Sequence, residues 1–138
     1  LDIKNRLGIP PKFREALFLE KADRFFLTSG MDRCLYLYLP TQWNKLLENN
    51  LQAFSLPDKE QERAFKRKFF SEATDVDLDS TGRILIPQYL KDHARLTSSV
   101  LVQGAGTRAE IWDSAQWKSY NRSKVEPTYR RVAKTLEI

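Results

Sequence analysis

The chain has 138 residues, of which 41% are hydrophobic and 12% aromatic, and it carries a net charge of +5. That length and composition fit one globular domain with a real core and exclude a disordered or low-complexity chain. No apolar run approaches the roughly 20 residues that span a bilayer, no secretory leader is legible, and Cys34 has no disulfide partner, so a reducing, cytoplasmic setting is expected.

Taken in order, residues 2–5 read as a tight turn, because Asp2 can bond its own backbone and Asn5 tolerates a positive φ. Arg6 opens a short aliphatic strand over 6–9. Pro10 stands where a helix begins, its missing N–H costing nothing in the first turn. The helix over 10–19 gathers Phe13, Ala16 and Leu17 on one side. Strands over 24–29 and 34–39 follow, joined by a turn containing Gly30. A helix over 41–51 starts at a capping-type Thr41 and aligns Trp43, Leu46 and Leu47. Ser55-Leu56-Pro57-Asp58 is the strongest linker signal. Residues 59–72 read as an amphipathic connecting helix whose large apolar residues are Phe65, Phe69 and Phe70.

The order then repeats. Leu1-Asp2-Ile3-Lys4-Asn5-Arg6-Leu7-Gly8-Ile9-Pro10 returns 77 positions later as Leu78-Asp79-Ser80-Thr81-Gly82-Arg83-Ile84-Leu85-Ile86-Pro87. A turn over 79–82, a strand over 83–86, a helix over 88–96 with Leu90 and Ala94, and strands over 99–103 and 108–112 are expected. Tyr38-Leu39-Pro40-Thr41-Gln42-Trp43 is echoed by Trp112-Asp113-Ser114-Ala115-Gln116-Trp117 at an offset of 74. A helix over 114–120 carries Trp117 and Tyr120. A last helix over 126–136 sets Tyr129, Val132, Ala133 and Leu136 at helical spacing, for packing on the core or on a neighbouring subunit. Each copy is thus strand, turn, strand, helix, hairpin, with the first strand of copy one clipped. The expected organisation is a single pseudo-symmetric domain over 1–138: repeat one with its helix over 1–54, linker and connecting helix over 55–73, repeat two over 74–123 and a C-terminal helix over 124–138.

The charge is uneven between the copies. Residues 1–14 hold Lys4, Arg6, Lys12 and Arg14 against Asp2, or +3, whereas 78–91 hold Arg83 and Lys91 against Asp79, or +1. A polyanion would prefer the first copy. In each Asp-x-x-x-Arg turn the Asp can hold backbone N–H groups while the Arg projects at the start of a strand. An arginine held on a rigid turn loses little entropy on clamping a phosphate or a guanine edge. The alternative is that Asp and Arg only staple the fold to each other.

The Asp-x-x-x-Arg turn, aliphatic strand, proline, short helix and hairpin resemble the AbrB-type swapped-hairpin DNA-binding unit. Two such units, with Val102-Gln103-Gly104 and Glu110-Ile111-Trp112 closing the second, resemble the MraZ family of bacterial transcriptional regulators associated with the division and cell-wall gene cluster. The resemblance covers roughly residues 1–120 and is closer in the second copy. It implies an α+β fold: a pseudo-two-fold β-barrel built from two tandem β-turn-β-α-β-hairpin units with peripheral helices. It also implies a homo-oligomeric ring whose turns meet short G-rich direct repeats. Double-stranded DNA is the implied partner, with no membrane, small-molecule substrate or cofactor, and with a nucleoid-associated location. Arg6 and Arg83 are the expected base or groove contacts, Lys4, Lys12 and Arg14 the phosphate contacts, and Asp2, Asn5, Asp79 and Gly82 the turn-holders. The family has Gly before each motif arginine, kept as Gly82 and replaced by Asn5. It also has a short strand before the first motif, so the chain, which opens on Leu1 inside that motif, is expected to leave one strand edge unpaired.

Other classes find little support. His93 lies on a helix and matches Ala16 of the other copy, and Cys34 sits in an aliphatic strand, so neither reads as catalytic. One His and one Cys make no metal site, and Gly104-Ala105-Gly106 belongs to a hairpin, not to a phosphate loop. An enzyme is not expected. The remaining alternative is an AbrB-type antitoxin or protein-interaction module with only generic DNA affinity.

Overall fold

The structure is a computed structural model and describes residues 1–51 and 54–138. In chain order the elements are β1 (Arg6–Gly8), α1 (Pro11–Leu19), β2 (Arg24–Ser29), β3 (Leu35–Tyr38), α2 (Pro40–Leu46), α3 (Lys59–Glu72), β4 (Thr74–Asp77), β5 (Arg83–Leu85), α4 (Gln88–Ala94), β6 (Val100–Gly104), β7 (Ala109–Asp113), α5 (Ser114–Tyr120) and α6 (Glu126–Leu136). Wider π turns at Leu47–Leu51 and Asn121–Val125 continue α2 and α5.

All strand pairing is antiparallel, and the copies interleave. β1 pairs with β5 as a separate ribbon, in the register Arg6 to Leu85, Leu7 to Ile84 and Gly8 to Arg83. The other five strands run β4-β2-β3-β7-β6. β4, which leads into the second motif, pairs with β2 of the first copy, and the two hairpins join through β3 and β7. The closed barrel expected from the resemblance is not what this pairing gives. Among the described residues the ribbon pairs only with itself, β4 and β6 end an open five-stranded sheet, and β6 pairs with β7 alone. The Leu1 amino group reaches the Ser98 carbonyl at 2.9 Å, just as Leu78 N–H reaches Asp23 O at 2.9 Å where β4 joins β2.

Strand alternation sorts the side chains. Phe25 and Leu27 of β2, Leu35 and Leu37 of β3, and Ile111 of β7 point into the core with Leu7, Ile84, Leu17 and Leu90. Phe26, on the opposite face of β2, stacks on Trp43 at 5.2 Å, and Trp43 stacks in turn on Phe69 of α3 at 5.6 Å. The connecting helix is therefore packed onto the first copy's hairpin and helix. Its N-terminus is capped by Asp58, whose carboxylate accepts from the Glu60 and Gln61 N–H groups. The second copy has its own cluster, Trp112 with Trp117 at 5.2 Å and with Tyr120 at 5.1 Å.

Helix starts and ends differ from the sequence expectation in instructive ways. Pro10 and Pro87 are the N-caps and not the first helical residues. Their carbonyls accept the first helical N–H bonds, from Phe13 and Arg14 and from Leu90 and Lys91. Thr41 does not cap its helix. Pro40 already begins it, and Gln42 accepts from the Leu39 N–H at 3.0 Å. Thr41 instead donates its N–H and its hydroxyl to Glu20, which ties α2 to the end of α1. Regular α-helix stops at Leu46, where the π turn begins. α4 ends at Ala94 because Arg95 turns left-handed at φ 52°.

Candidate nucleic-acid interface

The two Asp-x-x-x-Arg turns are the same object built twice. Asp2 Oδ1 accepts from Lys4 N–H at 2.8 Å and Arg6 N–H at 2.9 Å. Asp79 Oδ1 accepts from Thr81 N–H and Arg83 N–H, both at 2.9 Å. Backbone bonds close each loop, from Asp2 N–H to Arg6 O at 3.0 Å and from Asp79 N–H to Arg83 O at 2.9 Å. These donors hold both carboxyls below the ordinary carboxylate range. For Asp2 the Arg6 N–H does most, and for Asp79 the Thr81 hydroxyl does most, followed by the Arg83 N–H.

Each turn is also braced by the other copy. Ile9 N–H donates to Gly82 O at 2.9 Å and Ile86 N–H to Asn5 O at 2.8 Å, so each strand end holds the opposite turn. Asn5 and Gly82 occupy equivalent positions, both at positive φ, 62° and 77°. From α1, Arg14 lies against Gly82, where an added Cβ would meet its Cδ and Nη1 at 2.9 Å. Arg14 Nε also donates to Ile9 O at 2.9 Å. From α4, the equivalent Lys91 donates to Asn5 Oδ1 at 3.0 Å, and Asn5 Nδ2 donates to Gln88 at 3.1 Å. Arg14, read from sequence as a phosphate contact, therefore has part of its guanidinium committed to the fold. Lys91 and Gln88 were not singled out from sequence. The repeat register that aligns Lys91 with Arg14 was the signal that could have found Lys91, whereas it sets Gln88 against Pro11 and gives none for Gln88.

The ribbon aims the arginines. Leu7 and Ile84 are buried at its centre, while Arg6, Gly8, Arg83 and Leu85 lie on its outer face. The register makes Arg6 and Arg83 diagonal neighbours on that face, with Cα atoms roughly 8 Å apart by ordinary strand spacing and rise. They differ in freedom. Arg83 donates Nε to Thr81 Oγ1 at 2.9 Å and Nη1 to Asp2 Oδ2 at 3.2 Å. Arg6 makes no ion pair among the described residues, and it borders a recess of about 460 Å³ together with Lys4, Asp77, Asp79, Thr81 and Arg83. Lys4 is exposed. Lys12 is exposed on α1, with its ammonium 5.0 Å from the Phe13 ring centre.

The two residues weighed as catalytic have structural partners. His93 Nε2 lies 2.9 Å from Gly30 O, joining α4 to the β2–β3 hairpin. Cys34 is buried, its thiol pushed up to about 12 by desolvation, with Sγ donating to Met31 O at 3.1 Å. Among the described residues no His, Cys, Asp and Glu side chains gather into a metal-holding cluster, and no helix is long and apolar enough to cross a membrane.

An interleaved pair of β-turn-β-α-hairpin units, presenting two braced Asp-x-x-x-Arg turns on one ribbon, defines a class of duplicated proteins with a rigid, arginine-bearing outer face. The MraZ protein family, described as antitoxin-like, matches the chain twice, over residues 1–68 and 69–136. A protein of Alkaliphilus metalliredigens is 44% identical over 137 residues, covering 99% of this chain and 91% of its own length. One from Clostridium acetobutylicum is 45% identical over 126 residues, covering 91% and 84%. One from Heliobacterium modesticaldum is 41% identical over 136 residues, covering 99% and 90%. All three are named transcriptional regulator MraZ, and this chain belongs to the MraZ family.

Proposed function

We propose that the protein is a sequence-specific, DNA-binding transcriptional regulator without catalytic activity, acting in the cytoplasm at the nucleoid. Its ribbon face meets short G-rich direct repeats in double-stranded DNA. Arg6 and Arg83 address guanine edges in the groove, and Lys4, Lys12 and the free part of Arg14 meet phosphates. One observation carries the reading: two arginines roughly 8 Å apart project from one outer face, on turns whose backbone is held by Asp2 and Asp79 through the Arg6 and Arg83 N–H groups. That separation fits within one major groove, about 12 Å wide. The names of the relatives support the same reading.

The working form is a homo-oligomeric ring. α6 supports this, because its apolar side stays open, with Tyr129 64%, Val132 45% and Leu136 62% exposed. Tandem contacts of modest strength then add up to a firm hold on a repeated operator.

The test is binding to a duplex with tandem G-rich repeats and to a scrambled duplex, at two salt concentrations. The expected result is a preference for the repeats, lost in Arg6→Ala, with affinity falling steeply as salt rises. Equal, weak binding to both duplexes would leave only generic affinity for a polyanion and would favour the antitoxin or protein-interaction reading.

A further inference from the structure

Ile3 stands at the tip of the first turn with 99% of its surface exposed. The turn does not use it. The backbone there is fixed by Asp2 Oδ1, which takes the Lys4 and Arg6 N–H groups, and by the bond from Asn5 N–H to Asp2 O at 3.1 Å. Turn chemistry favours small polar residues at such a position, and the second copy has one, Ser80. Ile3 is also β-branched, so holding it in one rotamer costs little entropy. An apolar side chain that adds nothing to the fold thus sits between Lys4, a cation that favours a polyanion, and Asp2, which fixes Arg83, on the same turn that carries Arg6.

The major-groove edge of a guanine offers only acceptors, whereas thymine offers a methyl group. We infer that Ile3 is a specificity-determining residue that packs on the C5-methyl of a thymine next to the guanines contacted by the arginines. This rests on the DNA-binding reading above and deepens it. Because Ser80 takes the equivalent place in copy two, the two turns read different bases: a thymine is selected at the first turn and not at the second. The dyad of the protein is broken at this position.

The experiment compares duplexes with tandem G-rich repeats in which each position flanking the guanine run carries thymine or deoxyuridine, which differ only by the methyl. The proteins are the parent, Ile3→Ser and Ile3→Val. At one flanking position the parent should lose about three- to fivefold in affinity per repeat on going from thymine to deoxyuridine. Ile3→Ser should bind both alike, Ile3→Val should keep most of the preference, and all three proteins should melt together. A parent that prefers the repeats over a scrambled duplex yet treats thymine and deoxyuridine alike everywhere overturns the role of Ile3 and leaves the regulator reading standing. A parent with no preference for the repeats overturns both. If Ile3→Ser instead changes the mass of the assembly in solution, the side chain belongs to a subunit contact and the inference is wrong.

Discussion

Arg83 and Asp2 meet across the pseudo-two-fold axis, with Nη1 3.2 Å from Oδ2, so the second copy's arginine is held by the first copy's turn. Arg6, the counterpart of Arg83, has no such partner among the described residues. The difference separates two roles that the repeat would otherwise make equal. Arg6→Ala should weaken binding to G-rich repeats by about tenfold to a hundredfold, the range of one good arginine–guanine pair, with the melting temperature unchanged. Arg83→Ala should cost less affinity but lower the melting temperature, since it frees Asp2 and removes a link between the copies. Titrations beside melting curves decide this, and equal binding by both variants and the parent would take these arginines out of the interface.

The same turns set an acid limit. Asp2 and Asp79 both have folded pKa values below the ordinary carboxylate range, through the N–H of Arg6 for the first and the hydroxyl of Thr81 for the second. A depressed folded pKa means that the unfolded chain takes up the proton first. The stabilisation is therefore complete above about pH 4 and is lost as pH falls through the lower folded values. Melting temperature should drop on acidification below about pH 4, and the Asp2→Asn/Asp79→Asn double variant should show a shallower drop. Superimposable acid limbs for the two proteins would place the acid sensitivity elsewhere.

Much of this was legible because the chain states its pattern twice. The equivalence of Leu7 with Ile84 and of Asn5 with Gly82 follows from aligning two stretches of sequence, and the order of strands and helices follows from local periodicity. Pairing between copies was not legible, because β2 or β6 would satisfy β4 equally well by alternation alone. The burden on Arg14 was hidden for a related reason. Its neighbour Gly82 lies in the other copy, and what Arg14 fills is the space left by a missing side chain. Thr41 was misjudged because its partner, Glu20, comes from an earlier helix and outweighs the capping rule. The π turn at Leu47–Leu51 leaves no clear periodic signal at all.

Gly82 is where the brace can be tested. Its φ of 77° disfavours any side chain, and a methyl there would press on Arg14 at 2.9 Å. Gly82→Ala should cost about 1–2 kcal/mol from the left-handed backbone alone, and more if Arg14 cannot withdraw from Ile9 O. Denaturant unfolding of Gly82→Ala, with and without Arg14→Ala, measures the coupling. Crowding makes the double loss smaller than the sum of the single losses, and a double loss equal to that sum or larger would mean that Arg14 does not crowd this position.

Phe69 joins the connecting helix to the first copy. It stacks on Trp43 and lies 5.9 Å from Phe65, so truncating it opens the aromatic layer that holds α3 against the sheet. Because the residue is only half-buried, Phe69→Ala should cost roughly 1–3 kcal/mol, below the ~3–5 kcal/mol of a fully buried phenylalanine. Tryptophan fluorescence should report it directly, since Trp43 loses a ring on one face. A variant with parental stability and an unchanged spectrum would mean that α3 is not held by this stack.

The final prediction concerns assembly. α6 follows α5 through the π turn at Asn121–Val125, and a cleft of about 590 Å³ runs along it past Tyr120, Tyr129, Val132 and Leu136. Since Val132 and Leu136 are 45% and 62% exposed within one chain, replacing both with Asp should leave the fold of the monomer intact. If this stripe joins subunits, the charges face apolar surface in the ring and oppose association. Light scattering should then show a smaller species, with affinity for tandem repeats down by about 100-fold or more as the linked contacts are lost. Affinity for a single repeat should stay at the parental value, because Arg6 and Arg83 are untouched. An unchanged assembly mass in the double variant would mean that this stripe joins no subunits.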